Sequence, residues 1–383
     1  MQVYLDNSAT TQPFPRVVAV MREAMETGWY NPSALYKPAM EAEKRVTAVR
    51  TDCLKAVNAQ GHRMVFTSGG TEADNLAIIG HLRTVKQPGR VLVLCVEHPA
   101  VLACEEEIRR LGHRVEEIPV MRQGTADLDW LAAHLDESVR MICCMQVNNE
   151  SGAIQPLEEI VRLRDARCPQ AAIHVDGVQG FLRVPLDFRG LRIQSYAFSA
   201  HKIHGPKGVG ALAVKKGLRL LAQHIGGGQE EALRSGTENT PGILGMGEAV
   251  HAYPQGAPAE MMANKRLLWT LIQQRIPGAC LNGPAMDDPA CAPHILNVSF
   301  PPVRSQTMLF ALEGDGIYVS SGSACASRKQ KLSGVLTAMG LPTDRIDSAL
   351  RFSLCPGLTE EQMTYTADRL AAHWTLLSRF VRR

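Results

Sequence analysis

Lys202 stands in Ser199-Ala200-His201-Lys202-Ile203-His204-Gly205-Pro206-Lys207-Gly208, among small residues and two imidazoles, just after the strand-like run Gln194 to Phe198. An amine placed this way suits imine chemistry, because crowding by His201 and His204 would help it lose its proton near neutral pH. Base rates alone favour a solvated surface lysine. Three further segments bear on that choice. Ile173-His174-Val175-Asp176-Gly177-Val178-Gln179 reads as a short buried strand ending in a carboxylate and an amide, where open α/β sheets bind ligands. An aspartate there is also a common helix cap. Val65-Phe66-Thr67-Ser68-Gly69-Gly70-Thr71-Glu72-Ala73-Asp74-Asn75 runs from a strand through a glycine pair into a helical pattern with Ala77, Ile78 and Leu82 as apolar positions. Backbone N–H groups at such a helix start can hold a phosphate. The spacing is neither that of a Walker loop nor that of a GxGxxG dinucleotide site, and glycine turns that only connect elements are common. Val319-Ser320-Ser321-Gly322-Ser323-Ala324-Cys325-Ala326-Ser327 sets a cysteine in a small, polar, loop-like run, where a thiol is accessible. The other nine cysteines mostly read as buried hydrophobes, Cys143 and Cys144 in the apolar run Met141 to Val147 and Cys95 at the end of another.

These groups need a frame, and the pattern supplies one. Apolar runs at Met64 to Thr67, Val91 to Val96, Met141 to Val147, Ala172 to Asp176, Ser195 to Phe198 and Val209 to Val214 alternate with helical patterns such as Val101 to Leu111 and Leu157 to Arg167. That alternation predicts an α/β fold, a largely parallel sheet covered on both faces. Arg16 to Glu26 and Met40 to Asn58 read as amphipathic helices before it. The Pro/Gly-rich stretch Tyr253 to Ala259 marks a boundary. Beyond it a helix over Met261 to Arg275, a strand over Ile295 to Phe300 and a terminal helix over Glu360 to Phe380 predict a smaller α/β domain.

Composition narrows the class. The chain has 383 residues, 45% of them apolar, a net charge of +3 and ten cysteines. That length holds one large and one smaller domain. No apolar run approaches the ~20 residues of a membrane span, and the start has neither the charged leader nor the apolar core of a signal peptide. Cysteines without a disulfide-like framework suit a reducing, cytoplasmic setting. The charge is too small to argue for direct nucleic-acid binding. His201 and His204, three apart, and the adjacent Cys143 and Cys144 have no CxxC or HExxH companion, so no metal site is expected.

A pyridoxal phosphate ring needs an anionic partner for its protonated nitrogen, which Asp176 would supply, and a lysine, which Lys202 would supply. With these pieces together the chain resembles the cysteine desulfurases, the NifS/IscS-like branch of the class V aminotransferase group of fold-type I pyridoxal phosphate enzymes. The resemblance covers nearly the whole length. It runs from Tyr4-Leu5-Asp6-Asn7-Ser8-Ala9-Thr10-Thr11 through Asn31-Pro32-Ser33, the Thr67 to Asn75 loop, Glu97-His98, Val147-Asn148-Asn149-Glu150 and His174 to Gln179. It continues through the Lys202 segment, Gly226-Gly227-Gly228-Gln229-Glu230, Arg234-Ser235-Gly236-Thr237, Ser320 to Cys325 and Leu350-Arg351-Phe352-Ser353.

The resemblance implies roles at those positions. Lys202 would carry pyridoxal 5'-phosphate, Asp176 would pair with the ring nitrogen, Gln179 would hydrogen-bond the ring oxygen, and His98 would stack on the ring and move protons. Asn149 would lie by cofactor and substrate. Gly70, Thr71, Ser199 and His201 would hold the phosphate, with Thr237 reaching in from the other subunit of a homodimer. Arg351 would grip the carboxylate of L-cysteine, and Cys325 would receive its sulfur for delivery to a sulfur-acceptor protein serving iron–sulfur cluster, thiamine or tRNA thiolation pathways. The implied organisation is a large cofactor-binding domain over 15–254 and a small domain of 1–14 with 255–383 carrying the cysteine loop. Two departures stand out: Tyr36 where many relatives have histidine, and Gly177 where the family often has alanine, a change expected to be absorbed by small-residue packing. The segment Ala326 to Gly340 resembles the longer-loop class, and its Arg328, Lys329 and Lys331 would either steer an acidic partner or form a solvated cationic loop. Another pyridoxal phosphate enzyme in which Cys325 is dispensable, such as an aminotransferase or selenocysteine lyase, and a catalytically idle scaffold are the rival readings.

Overall fold

The computed structural model describes residues 1–322 and 332–380. Cys325, Arg328, Lys329 and Lys331 lie outside the described residues. A seven-stranded sheet runs in the order Arg63–Thr67, Gly210–Val214, Ser195–Ser199, Ala172–Asp176, Val139–Cys143, Arg90–Leu94, Arg114–Ile118. All pairs from Ser195–Ser199 to Arg114–Ile118 are parallel, and Gly210–Val214 is antiparallel to both its neighbours. Six strands therefore point the same way, and their C-terminal ends share one edge. Three central strands are buried along their whole length, as continuous runs such as Gly210-Ala211-Leu212-Ala213-Val214 require when helices cover both faces.

A second sheet pairs Ala349–Ser353, Ile295–Ser299 and Cys280–Asn282 antiparallel. The chain start is tied to this region, since Val3–Tyr4 pairs in parallel with Ile317–Tyr318 and Asp6 bridges Ser353. Beyond Asp6 the chain crosses to the lysine turn, where the Thr11 N–H and hydroxyl both donate to the His201 carbonyl at 2.9 Å. Ser8 and Ala9 are thereby stretched between the two sheets.

The structure departs from the sequence reading in local ways. The helical pattern Val101 to Leu111 is two short helices, Pro99–Leu102 and Glu105–Arg110. The run Met141 to Val147 leaves the sheet after Cys143, and Cys144 to Val147 form a buried connection outside it. Arg114–Ile118 escaped notice because it is a sheet-edge strand with Glu116 and Glu117 inside it, charges that discourage pairing with other chains. The terminal helix Glu360–Leu377 begins at a capping box made by Thr359 and Gln362.

Gly177 is not a tolerant position. A Cβ built there would lie 1.9 Å from Tyr196 Cζ, and the Tyr196 hydroxyl donates to Gln146 Oε1 at 2.7 Å. Tyr196 occupies the room that an alanine would need, so the two residues form a matched pair. Gly177→Ala should destabilise the fold by about 1–3 kcal/mol, and adding Tyr196→Val should recover much of that loss. Urea melts of the single and double variants check this; equal losses in both would refute the pairing.

Candidate active site

The shared strand edge gathers the chemistry. One cavity of about 230 Å³ is lined by Gly70, Thr71, His98, Asn149, Asp176, Gln179, Ser199, His201, Lys202 and Arg351, together with Ser8, Ala9 and Asp74. Most come from loops that follow strand C-termini, the usual place for ligands in open α/β sheets. The turn before helix Gly70–Leu82 closes tightly on the sheet: a Cβ at Gly210 would meet Gly69 backbone at 2.7 Å, and one at Gly70 would meet Val178 Cγ2 at 2.6 Å. No side chain caps this 13-residue helix, so its first N–H groups are available for an anion.

The Lys202 amine donates to the carbonyls of Ser8 and Ala9, the latter at 2.9 Å. Burial lowers its pKa to about 7, and the guanidinium groups of Arg351 and Arg183 add to the shift. The imidazoles expected to do this do not. Burial lowers His201 to about 3 and His204 to about 4, so both are neutral and repel nothing. His204 faces away from the cavity, its Nδ1 on the Gln12 carbonyl and its ring stacked on Phe14 at 4.3 Å.

Asp176 is buried, with its Oδ1 accepting from the Val178 N–H at 2.9 Å. Burial raises its pKa, while His98 and Lys202 oppose the rise. Asp74 and Glu97 are buried nearby, each held well above the carboxylate range by burial and by the charge of Asp176. A cationic ring nitrogen would supply the positive charge this acidic corner lacks. His98 caps helix Pro99–Leu102: its Nδ1 accepts from the Ala100 N–H at 3.1 Å, so the ring proton sits on Nε2. Arg351 is 2% exposed, pairs with Asp6 Oδ1 at 2.8 Å and donates to the Asn149 carbonyl at 2.9 Å. Its Nε and the buried Ser8 Oγ have no partner among the described residues. An uncapped helix start, a buried carboxylate, a neutral-leaning lysine and orphaned donors fit pyridoxal phosphate and an amino-acid carboxylate.

Comparison with known proteins agrees with this geometry. The family model described as "Aminotransferase class-V" matches residues 3–365. The chain belongs to this family. Within it, the protein named "Cysteine desulfurase IscS" from Clostridium botulinum is 37% identical over 375 residues, covering 96% of this chain and 93% of that one. "Cysteine desulfurase" from Trichormus azollae is 37% identical over 365 residues, covering 94% and 90%. Among solved structures, a "NifS-like protein" superimposes with a TM-score of 0.90 at 32% identity, covering 98% of this chain and all of that one. Within the family the chain thus falls with the cysteine desulfurases.

Two site residues foreseen from the sequence stand apart from this set. Thr237 is exposed and absent from its lining, and Cys325 lies outside the described residues. Tyr36 is 53% exposed and also away from the lining, so the histidine replaced there removes nothing from the cavity wall. Sequence reasoning gave no role to Asp6, Ser8, Ala9, Asp74 or Arg183. Asp6 carried one usable signal, a charge directly after the apolar Val3-Tyr4-Leu5.

The depressed lysine has a thermodynamic signature. Its folded pKa of about 7 lies below the unfolded value of 10.5, so the folded state resists protonation. The resulting penalty is fully present below pH 7 and disappears as pH rises from 7 past 10.5, where neither state holds the proton. Lys202→Met should therefore stabilise the cofactor-free protein most at pH 6, by at most about 5 kcal/mol, with the gain shrinking toward pH 10. Thermal melts at both pH values check the sign; a gain that grows with pH would contradict it.

Proposed function

We propose that this protein is a pyridoxal phosphate-dependent cysteine desulfurase, converting L-cysteine to L-alanine while Cys325 takes the sulfur as a persulfide. The observation that carries the reading is the Lys202 amine set in one cavity with the buried Asp176 and Arg351. When bound, the cofactor supplies an electron sink for the carbon bearing the substrate's amino group. Asp176 would hold the ring nitrogen protonated, and the N–H groups of Gly70 and Thr71 with Ser199 and His201 would hold the phosphate. Lys202, able to exist in both protonation states near pH 7, takes and returns a proton at Nζ, and His98 offers a second proton site at Nε2. Arg351 would receive the substrate carboxylate in bidentate fashion by turning part of its fork away from Asp6. The Cys325 thiolate attacks the substrate sulfur; the carbon–sulfur bond breaks, its electron pair goes to the substrate side, and protonation there gives alanine.

Several features support the wider reading. Trp29, Leu35, Tyr36 and Ile225 are large apolar residues left 53% to 93% exposed, which suits burial in a homodimer. Thr237, exposed outside the cavity, suits a role at the partner's phosphate site. The separation of the seven-stranded sheet from the two smaller sheets suits the division into a large domain over 15–254 and a small one of 1–14 with 255–383. No helix among the described residues is long and apolar enough to cross a membrane. A cytoplasmic enzyme handing sulfur to an acceptor protein, for iron–sulfur cluster, thiamine or tRNA thiolation pathways, completes the reading. The test is incubation with pyridoxal phosphate and L-cysteine without added reductant: alanine and protein-bound persulfide are expected, and pyruvate, or alanine with free sulfide and no persulfide, would sink the proposal.

A further inference from the structure

Arg183 is a buried cation without a counter-charge. Its side chain is 2% exposed, and among the described residues no carboxylate pairs with it. Burying a guanidinium unpaired is strongly unfavourable, so a fold that does it gains something else. The preceding Leu182 has φ 61°, a left-handed conformation that a bulky side chain rarely adopts. Strain and desolvated charge fall on adjacent residues, and together they turn Arg183 inward beneath the cavity.

Its hydrogen bonds show what that achieves. One Nη donates to Gln179 Oε1 at 3.0 Å, and the other donates to the Lys202 carbonyl. Gln179 Nε2 in turn donates to the Ser8 carbonyl at 3.0 Å. A guanidinium can only donate and a carbonyl can only accept, so the Gln179 amide has one permitted orientation. Its NH2 end faces the cavity side and its oxygen faces Arg183. We propose that Arg183 is a positioning residue, which locks the Gln179 amide with its donors toward the bound cofactor's ring oxygen and fixes the backbone turn carrying Lys202. This rests on the pyridoxal phosphate reading of the cavity. The charged groups whose fields reach the Lys202 amine are Arg351, Arg183, Asp6 and Asp176, with His98 and His201 lining the same cavity, and Arg183 is one of the two cations among them that favour its neutral form.

The test uses Arg183→Met, Arg183→Lys, Gln179→Leu and the Arg183→Met/Gln179→Leu double variant, each checked for a native circular dichroism spectrum. In the cofactor-free protein, competitive acylation of Lys202 read by mass spectrometry across pH gives the amine's midpoint. Arg183→Met should move that midpoint upward, and Arg183→Lys should leave it near the parent's. Affinity of the cofactor-free protein for pyridoxal phosphate should fall about tenfold in Arg183→Met, the loss of one charge-assisted bond. It should fall in Arg183→Lys as well, because an ammonium cannot fork to both acceptors, and the double variant should lose no more than Gln179→Leu alone. Additive losses, or a midpoint unmoved in Arg183→Met, overturn the proposal. If Arg183→Met fails to fold, Arg183→Lys still decides: restored affinity overturns the amide lock. A parent that binds no pyridoxal phosphate refutes the functional reading instead, and the acylation midpoint then tests Arg183 by itself.

Discussion

Replacing Lys202 with alanine is expected to lower alanine formation from L-cysteine by roughly 10³-fold or more, the range lost when a positioned proton-transfer group is removed. The expectation is specific to this lysine. Lys207 lies five residues on in the same segment, is exposed and lines no part of the cavity, so Lys207→Ala should turn over normally. Lys202→Arg separates charge from chemistry: a guanidinium stays protonated at any usable pH and cannot serve as the base, so it should be as inactive as alanine. Borohydride reduction provides a readout independent of turnover. It should fix pyridoxal phosphate irreversibly to the parent and to Lys207→Ala, and not to either Lys202 variant. Normal turnover by Lys202→Ala would refute the assignment of the amine.

The reason one lysine differs so much from its neighbour also explains how far the sequence could be read. The strand-and-glycine pattern put Asp176, Gly70 and Lys202 at a strand end and at turns, and the structure has them there, because each is a backbone event that local residue types declare. Ten of the twelve candidate residues then line one cavity. What the sequence could not declare was how distant segments meet. The neighbours that lower Lys202 are Arg351 and Arg183, one across 149 residues of chain and neither of them the imidazoles next to it in sequence. The carbonyls that receive its amine come from Ser8 and Ala9, 194 and 193 residues away. Periodicity sees faces of elements and carries no information on such pairings. The same limit hid the Gly177–Tyr196 match, where a glycine that looks interchangeable is fixed by a ring on the adjoining strand. It also hid Arg114–Ile118, a strand whose edge position replaces apolar alternation by charge.

Arg351 links the cavity to the segment that bears Cys325. Its backbone exchanges hydrogen bonds with Ser320, N–H to carbonyl in both directions at 2.7 and 3.1 Å, so the chain reaches Ser320 alongside the residue assigned to the substrate carboxylate. Five residues of chain can extend at most roughly 17 Å, a length compatible with the proposed sulfur transfer from a substrate at Arg351. Cys325→Ser should therefore leave substrate entry intact and stop the reaction at sulfur removal, since a hydroxyl at neutral pH is a far poorer nucleophile toward sulfur than a thiolate. Alanine and persulfide should both vanish, while L-cysteine still perturbs the cofactor absorbance near ~400–430 nm, as expected of a substrate that binds the cofactor. Two cysteines outside this segment give a control. Burial lifts the thiols of Cys53 and Cys104 to about 12, so neither forms a thiolate near neutral pH and neither can substitute. Persulfide formation at the parent's rate in Cys325→Ser would remove Cys325 from the mechanism and assign the sulfur to another cysteine, whereas alanine with free sulfide and no persulfide in both proteins would turn attention to a lyase that releases the sulfur without a protein carrier.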